Sequence, residues 1–136
     1  MKATFHPEYV HRLLQNEDIL GLHRLFIALG IDRQLPDSCL IFSSVLTWIS
    51  ATRSGAWTFY EATSPTKQQA LLDSLTNHQT LKFLAEQYQF GMENWQTENA
   101  LNDLDRRLDQ NEKRIHQLLI EAVKEDEETL VRLASE

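Results

Sequence analysis

The sequence predicts an all-α fold: a compact single domain over residues 1–136, a bundle of five to seven helices with a central apolar helix near residues 38–52. Three observations predict it. Apolar residues recur at spacings of three and four along most of the chain, as they do when a helix buries one face. Only 4 Gly and 3 Pro occur in 136 residues, few for a loop-rich or all-β protein. Hydrophobic residues make up 42%, which places the chain among folded globular proteins. A chain of this length buries roughly two-thirds of its unfolded surface, enough for a core of its own.

The elements follow in order. Pro7 opens a short first helix carrying Tyr9, Val10, Leu13 and Leu14. Asn16 is the expected N-cap of a second, with Glu17 and Asp18 in its first turn. Ile19, Leu20, Leu22, Leu25, Phe26 and Leu29 give that helix its apolar side, and Gly30 stops it. Pro36 lies in the connection, and Asp37 caps a third helix bearing Leu40, Ile41, Val45, Leu46, Trp48 and Ile49. No charge falls within residues 38–52 and apolar residues occupy most faces, which predicts the central, buried helix. Gly55 breaks that run, and Trp57, Phe59 and Tyr60 follow as an aromatic cluster.

Ser64-Pro65 then reads as an N-cap followed by proline in the first helical position, opening a helix with Leu71, Leu72 and Leu75 inward. Asn77 or Thr80 starts the next, with Leu81, Leu84 and Tyr88 inward and an end near Gly91. Trp95 sits in a polar linker, and Thr97 caps the longest helix, with Leu104, Leu108, Ile115, Leu118, Leu119, Ala122 and Val123 along one side. The step from Leu108 to Ile115 is a full heptad holding Asn111 and Glu112, a place for a break. Asp126 caps a last turn with Leu130, Val131 and Leu133.

Composition narrows the function. The one cysteine, Cys39, excludes an intramolecular disulfide framework and sits in the apolar run Cys39-Leu40-Ile41-Phe42, as a small buried hydrophobe does. The first residues lack the apolar core of a signal peptide. The longest uncharged stretch, residues 38–52, is shorter than the roughly 20 residues of a membrane span. A cytoplasmic protein is therefore expected. The net charge of −7 disfavours direct nucleic-acid binding, which draws its affinity from Lys and Arg at phosphates. That charge is unevenly placed. Residues 1–60 carry five acids (Glu8, Glu17, Asp18, Asp32, Asp37) and five bases (Lys2, Arg12, Arg24, Arg33, Arg53). The other 15 acids and 8 bases fall in residues 61–136. An acidic helical half on an apolar half suggests a surface that meets something basic.

Catalytic and metal motifs are sparse. His6-Pro7-Glu8 has the H-x-E form of zinc deaminases, but their P-C-x-x-C partner cannot be built from a single cysteine. His6 and His11 are five apart and do not share a helix face, while His23, His78 and His116 are isolated. No G-x-S-x-G, P-loop or glycine-rich turn before a helix occurs. A Ser–His–Asp set assembled only in space stays open as an outside alternative, because triads are defined by geometry. No catalytic, cofactor or metal residue is assigned. The aromatic trio Trp57, Phe59 and Tyr60 is read as core, with a binding platform as the alternative.

The acidic segment admits two readings. In one, it is a solvated face laced by i,i+4 pairs, Asp103–Arg107, Asp109–Lys113 and Glu128–Arg132, each contributing a few tenths of a kcal/mol. In the other, its carboxylates imitate a phosphate backbone or dock on a basic patch. The partner-binding candidates are then Asp103, Asp109, Glu112, Glu121, Glu125, Asp126, Glu127 and Glu128, since the run 125–128 outnumbers its local bases.

Two segments carry a family resemblance. Arg53-Ser54-Gly55-Ala56-Trp57-Thr58-Phe59-Tyr60 is similar to an asparagine-glycine-glycine-aromatic stretch with paired aromatics: Gly55 and the Phe59-Tyr60 pair match, while the asparagine, one glycine and the polar residue before the pair do not. Leu104-Asp105-Arg106-Arg107-Leu108, Leu118-Leu119-Ile120-Glu121-Ala122 and Glu127-Glu128-Thr129-Leu130-Val131-Arg132 are similar to closing helices of the same family. Over roughly residues 40–133 the chain thus resembles the small helical family that includes the bacterial DNA-mimic protein first described in Neisseria. The resemblance implies an all-helical, non-enzymatic protein, often a homodimer, that binds another protein through acidic surface. The partner it implies is a DNA-binding regulator or, for domains beside secreted toxins, a toxin.

The expected function is therefore a non-enzymatic binding inhibitor that presents an acidic helical face to a basic surface of a partner protein, of the toxin-immunity or DNA-mimic type. The alternatives are a scaffold protein whose acidic helix only solubilises, and a small hydrolase.

Overall fold

The computed structural model describes residues 2–136, without the side chain of Glu98. Every regular element among the described residues is helical. Nine α-helices form among the described residues, more than the five to seven expected: α1 (Pro7–Gln15), α2 (Ile19–Gly30), α3 (Asp37–Ser50), α4 (Trp57–Ala62), α5 (Pro65–Asn77), α6 (Lys82–Asn94), α7 (Glu98–Gln110), α8 (Glu112–Glu125) and α9 (Glu127–Ser135). Single 3₁₀ turns, Ala51–Arg53 and Gln79–Leu81, precede the turn before α4 and the start of α6.

The extra helices have local causes. The expected long C-terminal helix breaks within the Leu108–Ile115 heptad at Asn111, whose backbone N–H and side-chain amide both donate to the Arg107 carbonyl, at 3.1 and 2.8 Å, and close the last turn of α7. Asp126 lies between α8 and α9, but its carboxylate accepts from Ser38 Oγ at 2.7 Å and makes no cap. The N-cap of α2 is Asp18, not Asn16: the Asp18 carboxylate accepts the Gly21 N–H at 2.9 Å, while Asn16 ends α1. Glu17 between them takes φ 51, the left-handed turn that separates the two helices. At the start of α3 the cap position belongs to Pro36, and Asp37 is the first helical residue. Ser64 caps α5 as expected, accepting the Lys67 N–H at 3.3 Å with Pro65 next.

Helix α6 begins at Lys82, later than Asn77 or Thr80, and runs through Gly91 to Asn94 instead of stopping there. Gly91 lies against the Tyr60 ring, so a Cβ at this position would collide with it. Glycine is needed there for close approach, and the helix carries its conformational cost. The Tyr60 hydroxyl then donates to the Tyr88 carbonyl of the same helix at 3.1 Å.

The core forms around α3, which touches α2, α5 and α8. Phe42, Val45 and Trp48 are fully buried, and Ile41 and Ile49 nearly so. One side of α3 stays open, where Leu40 is 52% exposed. The Trp48 and Tyr88 rings meet edge to face at 5.1 Å, and Phe26 and Phe42 do the same, joining α3 to α6 and α2. The two ends of the described chain meet across α9: the Phe5 N–H donates to the Ala134 carbonyl at 2.8 Å. Beside them the Arg33 guanidinium, its side chain 3% exposed, ion-pairs with Asp32 at 2.9 Å and donates to the Ala3 and Glu136 carbonyls. No helix is long and apolar enough to cross a membrane among the described residues.

Candidate partner-binding surface

The aromatic segment after α3 splits between two roles. Tyr60 is buried, and Phe59 packs edge to face against it at 5.4 Å and against Tyr88 at 5.9 Å. These two belong to the core, as the sequence indicates. Trp57 does not: it is 47% exposed.

Its position is set by the turn before it. Gly55 takes φ +95, a conformation that L side chains rarely adopt. A Cβ there would lie 2.7 Å from Trp57 Cδ1 and 2.8 Å from Nε1, so the indole lies over the bare Cα of Gly55. The turn is tied to α7 by Asp105, whose Oδ1 accepts the Ala56 N–H at 2.8 Å. Thr58 Oγ1 donates to the Gly55 carbonyl at 2.8 Å. A side chain from α7 thus satisfies the free amide at the start of a six-residue helix that has no cap of its own.

A cleft of about 680 Å³ opens between this turn and α7. Trp57 and Trp95 supply aromatic surface, and Glu61 and Asp105 supply carboxylates. Ser54, Gln96 and Asn102 are polar and neutral, and among the described residues no Lys or Arg lines the cleft. Asp105 is half-buried, and this desolvation holds its carboxyl above the usual value of 3.8, against the lowering effect of the Ala56 hydrogen bond. An ionised carboxylate kept partly from water beside exposed indole favours a cationic visitor.

The acids singled out from the sequence are dispersed. Asp103 and Asp109 face different sides of α7. Asp103 shares a shallow depression with Phe90, Arg106 and Gln110, whereas Asp109 shares one with Glu112, His116 and Arg53. Asp103 pairs with Arg106 at 3.5 Å and not with Arg107, whose guanidinium lies 4.6 Å above the Phe90 ring. Glu112 lies 3.9 Å from His116, and Glu121, nine residues on, points to the opposite side of α8. Three carboxylates of the 125–128 run each hold a different element. Glu125 accepts from Thr80 Oγ1 at 3.2 Å, Asp126 holds Ser38, and Glu127 meets His11 Nδ1 at 2.8 Å. Asp109, Glu121 and Glu128 are exposed and make no ion pair among the described residues.

Glu61, Trp95 and Asp105 were not singled out as site residues in the sequence. The available signal was thin: a glycine turn before one tryptophan, and a second tryptophan just ahead of an acidic helix. Cys39 is buried, and burial pushes its thiol up to about 12, which keeps it protonated and inert. Among the described residues no group of three or more His, Cys, Asp or Glu side chains could hold a metal ion. No family model, no curated protein and no solved structure matches this chain.

Proposed function

We propose that this chain is a non-enzymatic binding inhibitor whose acidic C-terminal helices dock on a basic surface of a partner protein. The observation that carries the reading is the placement of charge. All of the net −7 arises after residue 60, where 15 acids meet 8 bases, while residues 1–60 balance. Asp109, Glu121 and Glu128 stand free in water, and free carboxylates steer a basic partner at long range. The resemblance to the DNA-mimic family points to the same kind of activity. Of the two roles it implies, immunity to a basic toxin fits better than imitation of duplex DNA. A mimic needs carboxylates in rows, whereas Asp103 and Asp109 lie on different sides of α7 and Glu112 and Glu121 on different sides of α8.

A scaffold role with a purely solvating acidic half is the second reading. It is favoured by the ties of Glu125, Asp126 and Glu127 to neighbouring helices. Charge reversal separates the two. With the partner captured from the native cell, the combined variant Asp109→Lys, Glu121→Lys, Glu128→Lys should associate about tenfold or more slowly and keep its helical content. An unchanged association rate would leave the solvating role.

A further inference from the structure

The cleft between α4 and α7 has a chemistry that the proposed docking does not by itself require. Its polar groups are acidic or neutral, and its apolar surface comes from two indoles and Leu101. The space, about 680 Å³, lies within the usual range of pockets for small groups. Asp105 commits Oδ1 to the Ala56 N–H, and its Oδ2 lies on the Gly55 side, 3.9 Å from where a Cβ would stand. Glu61 lines the same cleft from the exposed side of α4.

The geometry points to this cleft as the seat of an arginine side chain of the partner protein, its guanidinium laid on indole and hydrogen-bonded to Asp105 and Glu61. This assignment rests on the proposed docking on a basic partner. Several features favour arginine over lysine. A guanidinium is planar and stacks on an aromatic face, whereas an ammonium is compact and strongly hydrated. A half-buried carboxylate with one oxygen already engaged suits a weakly hydrated donor with several N–H groups. The fold already seats this group on rings elsewhere, with Arg107 over Phe90 and Arg114 over Phe83. The apolar stem of the side chain would cover Leu101 and the Trp57 edge as it enters.

The chain carries 3 Trp, and one of them, Trp48, is fully buried and serves as an internal control. The test titrates the full chain, with ¹⁵N-labelled indoles, with the peptide acetyl-Gly-Arg-Gly-amide. Peptides with citrulline or lysine in place of arginine are run alongside. The arginine peptide should shift the Trp57 and Trp95 indole signals and leave Trp48 in place. Citrulline, a neutral mimic of the same shape, should bind at least about tenfold more weakly, and lysine should also be weaker. Asp105→Asn, which keeps an acceptor for the Ala56 N–H, and Glu61→Gln should each weaken arginine binding, with an unmoved Trp48 signal reporting an intact fold. Arginine and citrulline peptides of equal affinity, or no arginine-dependent shift at either indole, would overturn the assignment. Equal binding of lysine would overturn the choice of arginine. Loss of the peptide effect with partner association still charge-dependent defeats only the cleft. Intact peptide binding with a charge-indifferent partner association defeats only the docking reading.

Discussion

Asp105 shows how one side chain can tie two elements together and still line a cleft. One oxygen anchors the start of α4 through the Ala56 N–H, and the half-buried position leaves the ionised form under-solvated. The consequence for stability has a definite sign. The folded carboxyl titrates above its ordinary value of 3.8, so its contribution is full below that value and is lost as pH rises through the raised one. Asp105→Asn keeps the hydrogen bond and removes the charge. Denaturant unfolding from about pH 4 to neutral should therefore show the variant gaining on the wild type as pH rises. A wild type that gains on the variant over the same range would mean a carboxylate stabilised by the fold, and hence no unmet charge for a cation to satisfy. At this scale the sequence was least legible. The acids could be counted, but not which oxygens were already engaged. The ties of Glu125 to Thr80, Asp126 to Ser38 and Glu127 to His11 span 45 to 116 positions and leave no trace in local spacing. The i,i+4 pair expected for Asp103 gave way because Arg107 lies over the Phe90 ring.

At the scale of elements the apolar period carried most of the information. It located α2, α3, α5, α6, α7 and α8 by their buried sides, since a helix that hides one stripe must repeat it every three or four residues. It missed α4, because six residues are too few for the period to emerge and aromatic clusters occur equally in loops. It placed caps less well, because Asn16 and Asp18 are both acceptable N-caps and only the left-handed backbone at Glu17 selects Asp18. Helix α3 offers a paired test of its central position. Trp48→Ala should cost about 3–5 kcal/mol, the range for deleting a buried aromatic side chain. Leu40→Ala, on the open side of the same helix, should stay within about 0.5 kcal/mol, as surface changes do. Both can be read from denaturant midpoints. A cheap Trp48 change would place the core elsewhere, and a costly Leu40 change would mean its side is covered in solution.

Along the whole chain, apolar exposure and negative charge are separated in sequence. The large hydrophobic side chains left most exposed, Tyr9, Leu20, Ile27, Ile31, Leu40 and Trp57, all precede residue 60, and the excess carboxylates all follow it. The cleft joins the two parts, with Trp57 and its turn from the first and Trp95 and Asp105 from the second. A partner that meets this cleft would be drawn in by the charge of α7 to α9 and held at the indoles. Exposed charges act over about a Debye length, roughly 10 Å at 0.1 M salt, so that attraction weakens as salt is added, while contact within the half-buried cleft weakens less. The most direct measurement of the acidic-docking claim is the association rate constant of the unmodified protein with its captured partner across a series of ionic strengths. Docking through the acidic helices predicts a rate that falls steeply as salt rises, by about tenfold or more between low and physiological ionic strength, with dissociation changing far less. A rate that stays level across the series would contradict it.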